Sequence, residues 1–150
     1  MAGKIDRFRR IARYYRQKKE TEVVKLLEAQ RERSSLEEKR DKLRELKRDY
    51  MENCAGILSG QVSTADLDKL EGGFEYLVDR IEKSGLELKK AAEIEKHQRE
   101  KVIEADITRR VWEKLVNRKI REAAHRERIK NGKLMDDIAL SGNRLGKEQR

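Results

Sequence analysis

The sequence contains no proline, a single cysteine and only 5% aromatic residues. Proline removes a backbone donor and clashes with the preceding helical turn, so its absence allows long uninterrupted helices. A lone Cys54 excludes an intramolecular disulfide and suits a reducing cytoplasm. Long apolar runs are also missing, and the first ten residues lack the apolar stretch of a secretory signal. We therefore expect a soluble protein that stays where it is made.

The composition favours long helices over a compact globule. Charged residues make up 45% of the chain and hydrophobic residues 36%. An average soluble domain has about 25% charged residues and, counting glycine, about 45–50% apolar residues. Ala, Leu, Glu, Lys and Arg account for 84 of the 150 residues, a bias typical of coiled coils. Disorder is disfavoured because the apolar residues are periodic and because Gly and Ser accumulate nowhere.

Two heptad patterns predict two helices. The first runs from Phe8 to Ile57, and the second runs from Leu67 to Val116. Between them, glycines able to take left-handed dihedrals precede Ser63-x-x-Asp66, which resembles a capping box. We predict an all-α fold, a long antiparallel two-helix coiled coil, or α-hairpin. It forms one coiled-coil unit over 1–150, with helices at about 4–56 and 65–140, a turn at about 57–64 and a frayed tail at 141–150.

The predicted register pairs residues whose numbers sum to about 120. The pairs include Phe8 with Trp112, Glu22 with Gln98, and Tyr50 with Leu70. Arg33, Arg40 and Lys47 occupy positions that a stable two-stranded coil fills with apolar residues, so we expect modest stability. Gly72-Gly73 predicts a local kink or a late start of the second helix.

The charges are sorted along the chain. Residues 1–19 carry eight basic side chains and one acidic side chain, and residues 109–130 carry nine basic and three acidic side chains. Residues 20–106 carry 17 basic and 22 acidic side chains. Antiparallel pairing would bring both basic segments to one end, which favours an acidic partner. The second helix should overhang the first by some twenty residues, and the surplus apolar residues near the turn either face a partner or thicken the seam.

No catalytic constellation is evident. The sequence lacks a Walker loop, an HExxH motif and a CxxC motif, and His97 and His125 are too far apart on one helix to share a metal. Cys54 is interpreted as a small buried residue at a seam position, and the pair Asp136-Asp137 as a recognition element. We expect no enzyme activity, cofactor or metal. Nucleic acid is a weaker alternative, because the cations are spread around the helix without a base-reading pattern.

Several motifs resemble those of the FliJ family of flagellar type III export proteins and of injectisome counterparts such as YscO. They are Phe8-x-x-Ile11, Leu43-x-x-Leu46-x-x-x-Tyr50, Gly60-Gln61-Val62-Ser63, Phe74-x-x-Leu77 and Trp112-x-x-Leu115. The most specific match is the C-terminal motif, formed by Lys133, Met135, Asp136, Asp137 and Ala139. Asp137 stands where the family commonly has Glu.

The resemblance implies a stalk similar to the γ subunit of rotary ATPases. It implies binding to a hexameric FliI-like export ATPase, promotion of its ring assembly and activity, contact with an FlhA-like export gate, and escort of export chaperones. The protein would be cytoplasmic, at the base of the flagellar export apparatus, and peripheral to the inner membrane through partners only.

The site residues that the resemblance implies form two sets. Those expected to contact the ATPase are Arg9, Arg10, Arg13, Arg118 and Arg121. Those expected to contact the gate are Leu46, Tyr50, Phe74 and Val78. The alternative from another class is a homo-oligomeric scaffold in which two hairpins form a four-helix bundle.

Overall fold

The computed structural model describes residues 2–148 as two long helices that pack against each other. Helix α1 spans Ala2–Leu58 and helix α2 spans Thr64–Glu148. No strand occurs within the described range. The predicted all-α hairpin is therefore confirmed.

A five-residue link, 59–63, joins the helices. The Asp66 amide donates to Ser63 Oγ at 3.2 Å, which makes Ser63 the N-cap of α2. At the end of α1, the Ser59 hydroxyl donates to the Gly56 carbonyl at 2.6 Å, and the Gly60 amide donates to the Ile57 carbonyl at 3.1 Å. The expectation of left-handed glycines is wrong, since no described glycine has a positive φ. Hydrogen bonds of this kind satisfy the end of α1 instead.

Helix α2 is longer than predicted at its C-terminal end. It continues to Glu148, beyond the predicted end near residue 140, while residues 149–150 lie outside the described part. The predicted fraying of the tail stays a prediction. The segment contains no proline, and a glycine inside a helix costs only about 1 kcal/mol relative to alanine. The predicted late start is also wrong, because the Ser63 cap begins the helix before Gly72 and Gly73.

The packing divides into two compact units, and both helices contribute to each. Unit 1 combines the residues up to Glu20 with those from Glu104 onward. Unit 2 comprises Thr21–Ile103. The prediction of a single coiled-coil unit over 1–150 stays a prediction.

Aromatic side chains form the seam of unit 1. The Trp112 ring lies 6.0 Å from the Phe8 ring, between centroids, and is stacked on Tyr15 at 5.8 Å. Ala105 and Val116 are buried in the same seam. The contact between Phe8 and Trp112 confirms the predicted register in this unit.

Hydrogen bonds cross the seam of unit 2. The side-chain amide of Gln98 donates to the backbone carbonyl of Glu22 at 3.1 Å and also to the Glu22 carboxylate. The bond to the carboxylate lowers the pKa of Glu22. The Tyr50 hydroxyl donates to the Leu70 carbonyl at 2.7 Å. Both contacts join pairs that the register predicts. Gly73 accommodates the Tyr50 ring, because a Cβ at position 73 would lie 2.8 Å from Tyr50 Cζ.

Two of the three cations predicted to weaken the seam have partners on α2. Arg33 Nη1 donates to the Glu95 carboxylate at 2.8 Å, and Glu95 is 4% exposed. The Lys47 ammonium lies 5.5 Å from the centroid of the Phe74 ring. Arg40 differs, since its Nε is buried without a hydrogen-bond partner. The seam therefore accepts cations where the opposite residue is an acid or an aromatic ring.

Candidate partner-binding surfaces

The first candidate surface is the set of arginines predicted to contact an ATPase, which we call the basic surface. All five lie in unit 1 and are exposed: Arg9, Arg10, Arg13, Arg118 and Arg121. Arg9 and Arg13 line a groove of about 330 Å³, together with Arg16 of α1 and Glu113 of α2. Arg10 is not among the lining residues. The structure thus brings together only Arg9 and Arg13 at this groove.

Arg118 and Arg121 project from the other side of α2. Trp112 and Val116 point into the seam, and residues of an α-helix follow one another at about 100°. By that rotation, Arg118 and Arg121 face away from α1. Arg118 is paired with Glu122 at 3.2 Å. The basic surface is therefore distributed over several sides of unit 1 instead of forming one patch.

A network of charges that the sequence analysis did not identify lies beside the aromatic seam. Arg16 reaches Glu113 at 2.9 Å, and Lys19 reaches Asp106 at 3.5 Å. Arg109 contacts both acids at 2.8 Å. The hydrogen bond from Arg16 is the main cause that lowers the pKa of Glu113, and the hydrogen bond from Arg109 lowers the pKa of Asp106. The two carboxylates therefore stay ionised at neutral pH and hold α1 against α2.

The signal for this network was present in the sequence. Glu113 lies about 2.5 helical turns beyond the position that the register places opposite Arg16, and Asp106 lies about 1.4 turns beyond the position opposite Lys19. The predicted pairs, whose numbers sum to about 120, lie directly opposite each other and so do not include these contacts. Long cationic side chains reach farther along the partner helix than that rule assumes.

The second candidate surface is an apolar groove next to the link, in unit 2, which we call the turn groove. Its volume is about 640 Å³, and its apolar lining includes Tyr50, Met51, Leu58, Leu67, Leu70 and Phe74. Cys54 also lines it and is half-buried, whereas the sequence predicts a buried residue at this position. Burial is the main cause that raises the pKa of the Tyr50 hydroxyl. The groove presents apolar surface that an apolar partner segment could cover.

The four residues predicted to contact the gate fall into two groups. Leu46 is 55% exposed and free to meet a partner. Tyr50, Phe74 and Val78 are half-buried, and the Tyr50 hydroxyl is engaged with the Leu70 carbonyl. Tyr50 and Phe74 line the turn groove, whereas Leu46 and Val78 do not. The set thus combines one open surface residue with three that also support the seam.

The C-terminal motif lies on the exposed end of α2. Its residues Lys133, Met135, Asp136, Asp137 and Ala139 are all exposed. The apolar neighbours Leu134 and Ile138 are each 59% exposed. These side chains therefore have the overhanging position that the register predicts.

Metal-binding clusters and membrane-spanning segments are not found among the described residues. No group of three or more His, Cys, Asp or Glu side chains within 2–148 could hold a metal ion. Neither described helix has a segment that is long and apolar enough to cross a membrane.

Comparison with known protein families gives a match over most of the chain. The family model described as "Flagellar FliJ protein" matches residues 4–146, nearly the whole chain. No curated protein and no solved structure matches.

Proposed function

Because the chain belongs to the flagellar FliJ family and is thereby a component of flagellar type III export, we propose that it acts as a central stalk of the export ATPase. In this role it binds a hexameric FliI-like ATPase, promotes ring assembly and raises the rate of ATP hydrolysis. It also contacts an FlhA-like gate and escorts export chaperones. It is peripheral to the inner membrane at the base of the export apparatus.

The observation that carries the ATPase proposal is the charge of unit 1. This unit has 21 Lys and Arg against 10 Asp and Glu, a net charge of +11, whereas unit 2 has 17 against 19, a net charge of −2. A strongly positive unit is steered toward an acidic binding surface. The distribution of the basic surface over several sides of unit 1 suits a ring, which surrounds its ligand.

A single stalk also has the symmetry needed to regulate a ring. Two unlike helices cannot contact six identical subunits in the same way. Contacts that differ from one subunit to the next are what can shift those subunits between conformations. We therefore expect stimulation when the protein is substoichiometric to ATPase protomers.

The test measures ATP hydrolysis and ring assembly of the cognate ATPase with and without this protein, at low and moderate salt. We expect stimulation that weakens as salt increases, because the exposed charges are screened. Arg10→Glu with Arg118→Glu should abolish stimulation at moderate salt. The matched control, Lys39→Glu with Lys42→Glu, reverses two exposed cations of unit 2 and should leave stimulation intact. Unchanged ATPase binding by the arginine variant at low salt would refute the assignment.

The gate proposal rests on the apolar surface close to the link. Leu46 is exposed, and the turn groove lies within the same unit. We expect Leu46→Ser to weaken binding to the cytoplasmic domain of the gate about tenfold, through lost apolar contact. Leu86→Ser is the matched control, because Leu86 is 63% exposed and also belongs to unit 2. Equal affinities for the two variants would contradict the proposal.

Tyr50 requires a gentler substitution in this test. Tyr50→Ala would remove a side chain that packs against Gly73 and bonds to Leu70, so any loss of binding could reflect damage to the seam. Tyr50→Phe keeps the ring in the turn groove and removes only the hydroxyl. If the ring contacts the gate, this variant should bind nearly as well as the unmodified chain.

A further inference from the structure

A second function is suggested by the side of α2 that faces away from α1 in unit 1. We call it the outer face of α2, and it consists of Ile107, Val111, Lys114, Arg118, Arg121 and Arg128. These residues recur at intervals of three, four and seven, which places them on one side of an α-helix. All six are exposed. The outer face therefore combines four cations with two apolar side chains that have nothing to cover them within the described residues.

The acids of this segment do not interrupt the outer face. Glu113 is turned toward α1, where Arg16 reaches it at 2.9 Å. Glu122 lies at the edge of the face and is engaged by Arg118 and Lys119. Glu127 projects from the opposite side, as the step of about 100° per residue requires. Lys114 forms no ion pair among the described residues, so its charge is available to a partner.

We propose that the outer face of α2 binds directly to an anionic lipid surface. A basic stripe is attracted to anionic headgroups, and each Lys or Arg near the surface strengthens binding about fivefold. The apolar residues distinguish lipid from other anions. Ile107 is 57% exposed and Val111 is 50% exposed, one helical turn apart. Apolar side chains gain from entering the headgroup boundary, whereas nucleic-acid affinity comes mainly from cations that meet phosphates.

This proposal goes beyond the stalk function and differs from membrane association through partners only. Arg118 and Arg121 belong to both the outer face and the basic surface, so a chain bound to lipid could not use them on an ATPase ring. The test therefore leaves these two arginines unchanged. It also contains no ATPase, so its failure and the failure of the stalk proposal are distinguishable.

The test is cosedimentation of the full chain with phosphatidylcholine vesicles, with and without phosphatidylglycerol. We expect binding only to the vesicles that contain phosphatidylglycerol. Lys114→Gln with Arg128→Gln should weaken this binding about 30-fold. The control Lys39→Gln with Lys42→Gln removes the same charge from exposed positions of unit 2 and should bind like the unmodified chain. Helicity measured by circular dichroism confirms that each variant is folded.

A second pair of substitutions separates lipid from other polyanions. Ile107→Ser with Val111→Ser keeps every charge and should weaken vesicle binding about tenfold, while retention on heparin stays unchanged. Binding to neutral vesicles that equals binding to anionic ones would overturn the proposal, and so would an equal loss in the Lys39 and Lys42 control. A different result would assign the face to nucleic acid instead. The variant with Ile107→Ser and Val111→Ser would bind vesicles as tightly as the unmodified chain does, and the unmodified chain would bind duplex DNA as tightly as it binds vesicles.

Discussion

The two units fill the same heptad pattern with different chemistry. In unit 1, Trp112 packs against Phe8 and Tyr15, and the ion pairs lie beside this aromatic seam. In unit 2, polar groups stand in the seam itself, where Arg33 meets the buried Glu95. A heptad pattern therefore fixes which side of a helix is covered, and the residues opposite decide whether a polar side chain can be accommodated there.

The units also differ in what they leave exposed. Unit 1 has a net charge of +11 and exposes arginines on several sides, whereas unit 2 has a net charge of −2 and exposes apolar residues around the link. In unit 1 the aromatic seam packs without the arginines of the basic surface, while other cations form the ion pairs beside it. The cations of the basic surface are thereby available to partners. A surface charge of one sign influences the rate of association more than it influences the fold.

The largest effect is expected where the comparison depends on aromatic packing. Trp112→Ala should reduce the free energy of unfolding by about 3 kcal/mol, since it removes a large ring from contact with Phe8 and Tyr15. Trp112→Phe should lose less than half of that. Urea unfolding followed by circular dichroism measures both. A loss for Trp112→Ala no greater than for Tyr14→Ala, an exposed aromatic of the same unit, would show that the ring contacts contribute little.

A smaller effect is expected at the aromatic contact of unit 2. Gly73→Ala places a Cβ against the Tyr50 ring and should cost about 2 kcal/mol through overpacking. Gly72→Ala is the matched control, because nothing lies within 4 Å of the added Cβ. That variant should be more stable by up to about 1 kcal/mol, through helix propensity. Thermal unfolding curves that shift in the same direction for both would disprove the contact.

The polar seam of unit 2 is expected to respond to the loss of one partner more than to the loss of both. Glu95→Ala should cost about 1–2 kcal/mol, because it leaves Arg33 and Arg99 without their shared acid. Arg33 is partly exposed and can recover some hydration, which limits the loss. Replacing Arg33 and Glu95 together by Leu should restore stability to at least that of the unmodified chain. A double variant that is less stable than Glu95→Ala would show that the ion pair is net stabilising.

The smallest effect is expected from mild acid, and it should be concentrated in unit 1. Hydrogen bonds and cations lower the pKa of three acids of unit 1, Asp106, Glu113 and Glu122, from the ordinary values of 3.8 for Asp and 4.5 for Glu. In unit 2, a hydrogen bond from Gln98 lowers the pKa of Glu22. Since the folded state holds these protons less tightly than the unfolded state, the stability that they contribute is present above pH 4.5. It is lost as the pH falls through the lowered pKa values.

The fluorescence of Trp112, the single tryptophan, reports this change within unit 1. The urea midpoint should fall as the pH is lowered below about 4.5. Glu113→Gln should reduce that dependence, because an amide does not titrate and cannot pair with Arg16. A midpoint that is independent of pH, or a variant with an unchanged slope, would show that the network does not stabilise the fold.

The fold could be predicted in detail, down to the pairing of individual residues. Glu22 with Gln98 and Tyr50 with Leu70 follow from two heptad patterns and one link. The candidate sites could be predicted only in part. Charge counts locate the basic segments, but Arg118 and Arg121 turn out to face away from the groove that holds Arg9 and Arg13. Positions on a helix surface carry little sequence signal, because exposed residues are not constrained by packing.

The sequence by itself determined the class of fold, the approximate register and the family, because proline-free heptads leave few arrangements that bury the apolar residues. The tertiary structure decided which residues that look unfavourable in the heptad pattern take part in contacts between the helices. Arg33 became a partner of Glu95, and Gly73 became the space for the Tyr50 ring. Such outcomes depend on the reach and direction of side chains across the seam. Those distances arise only when the two helices are packed.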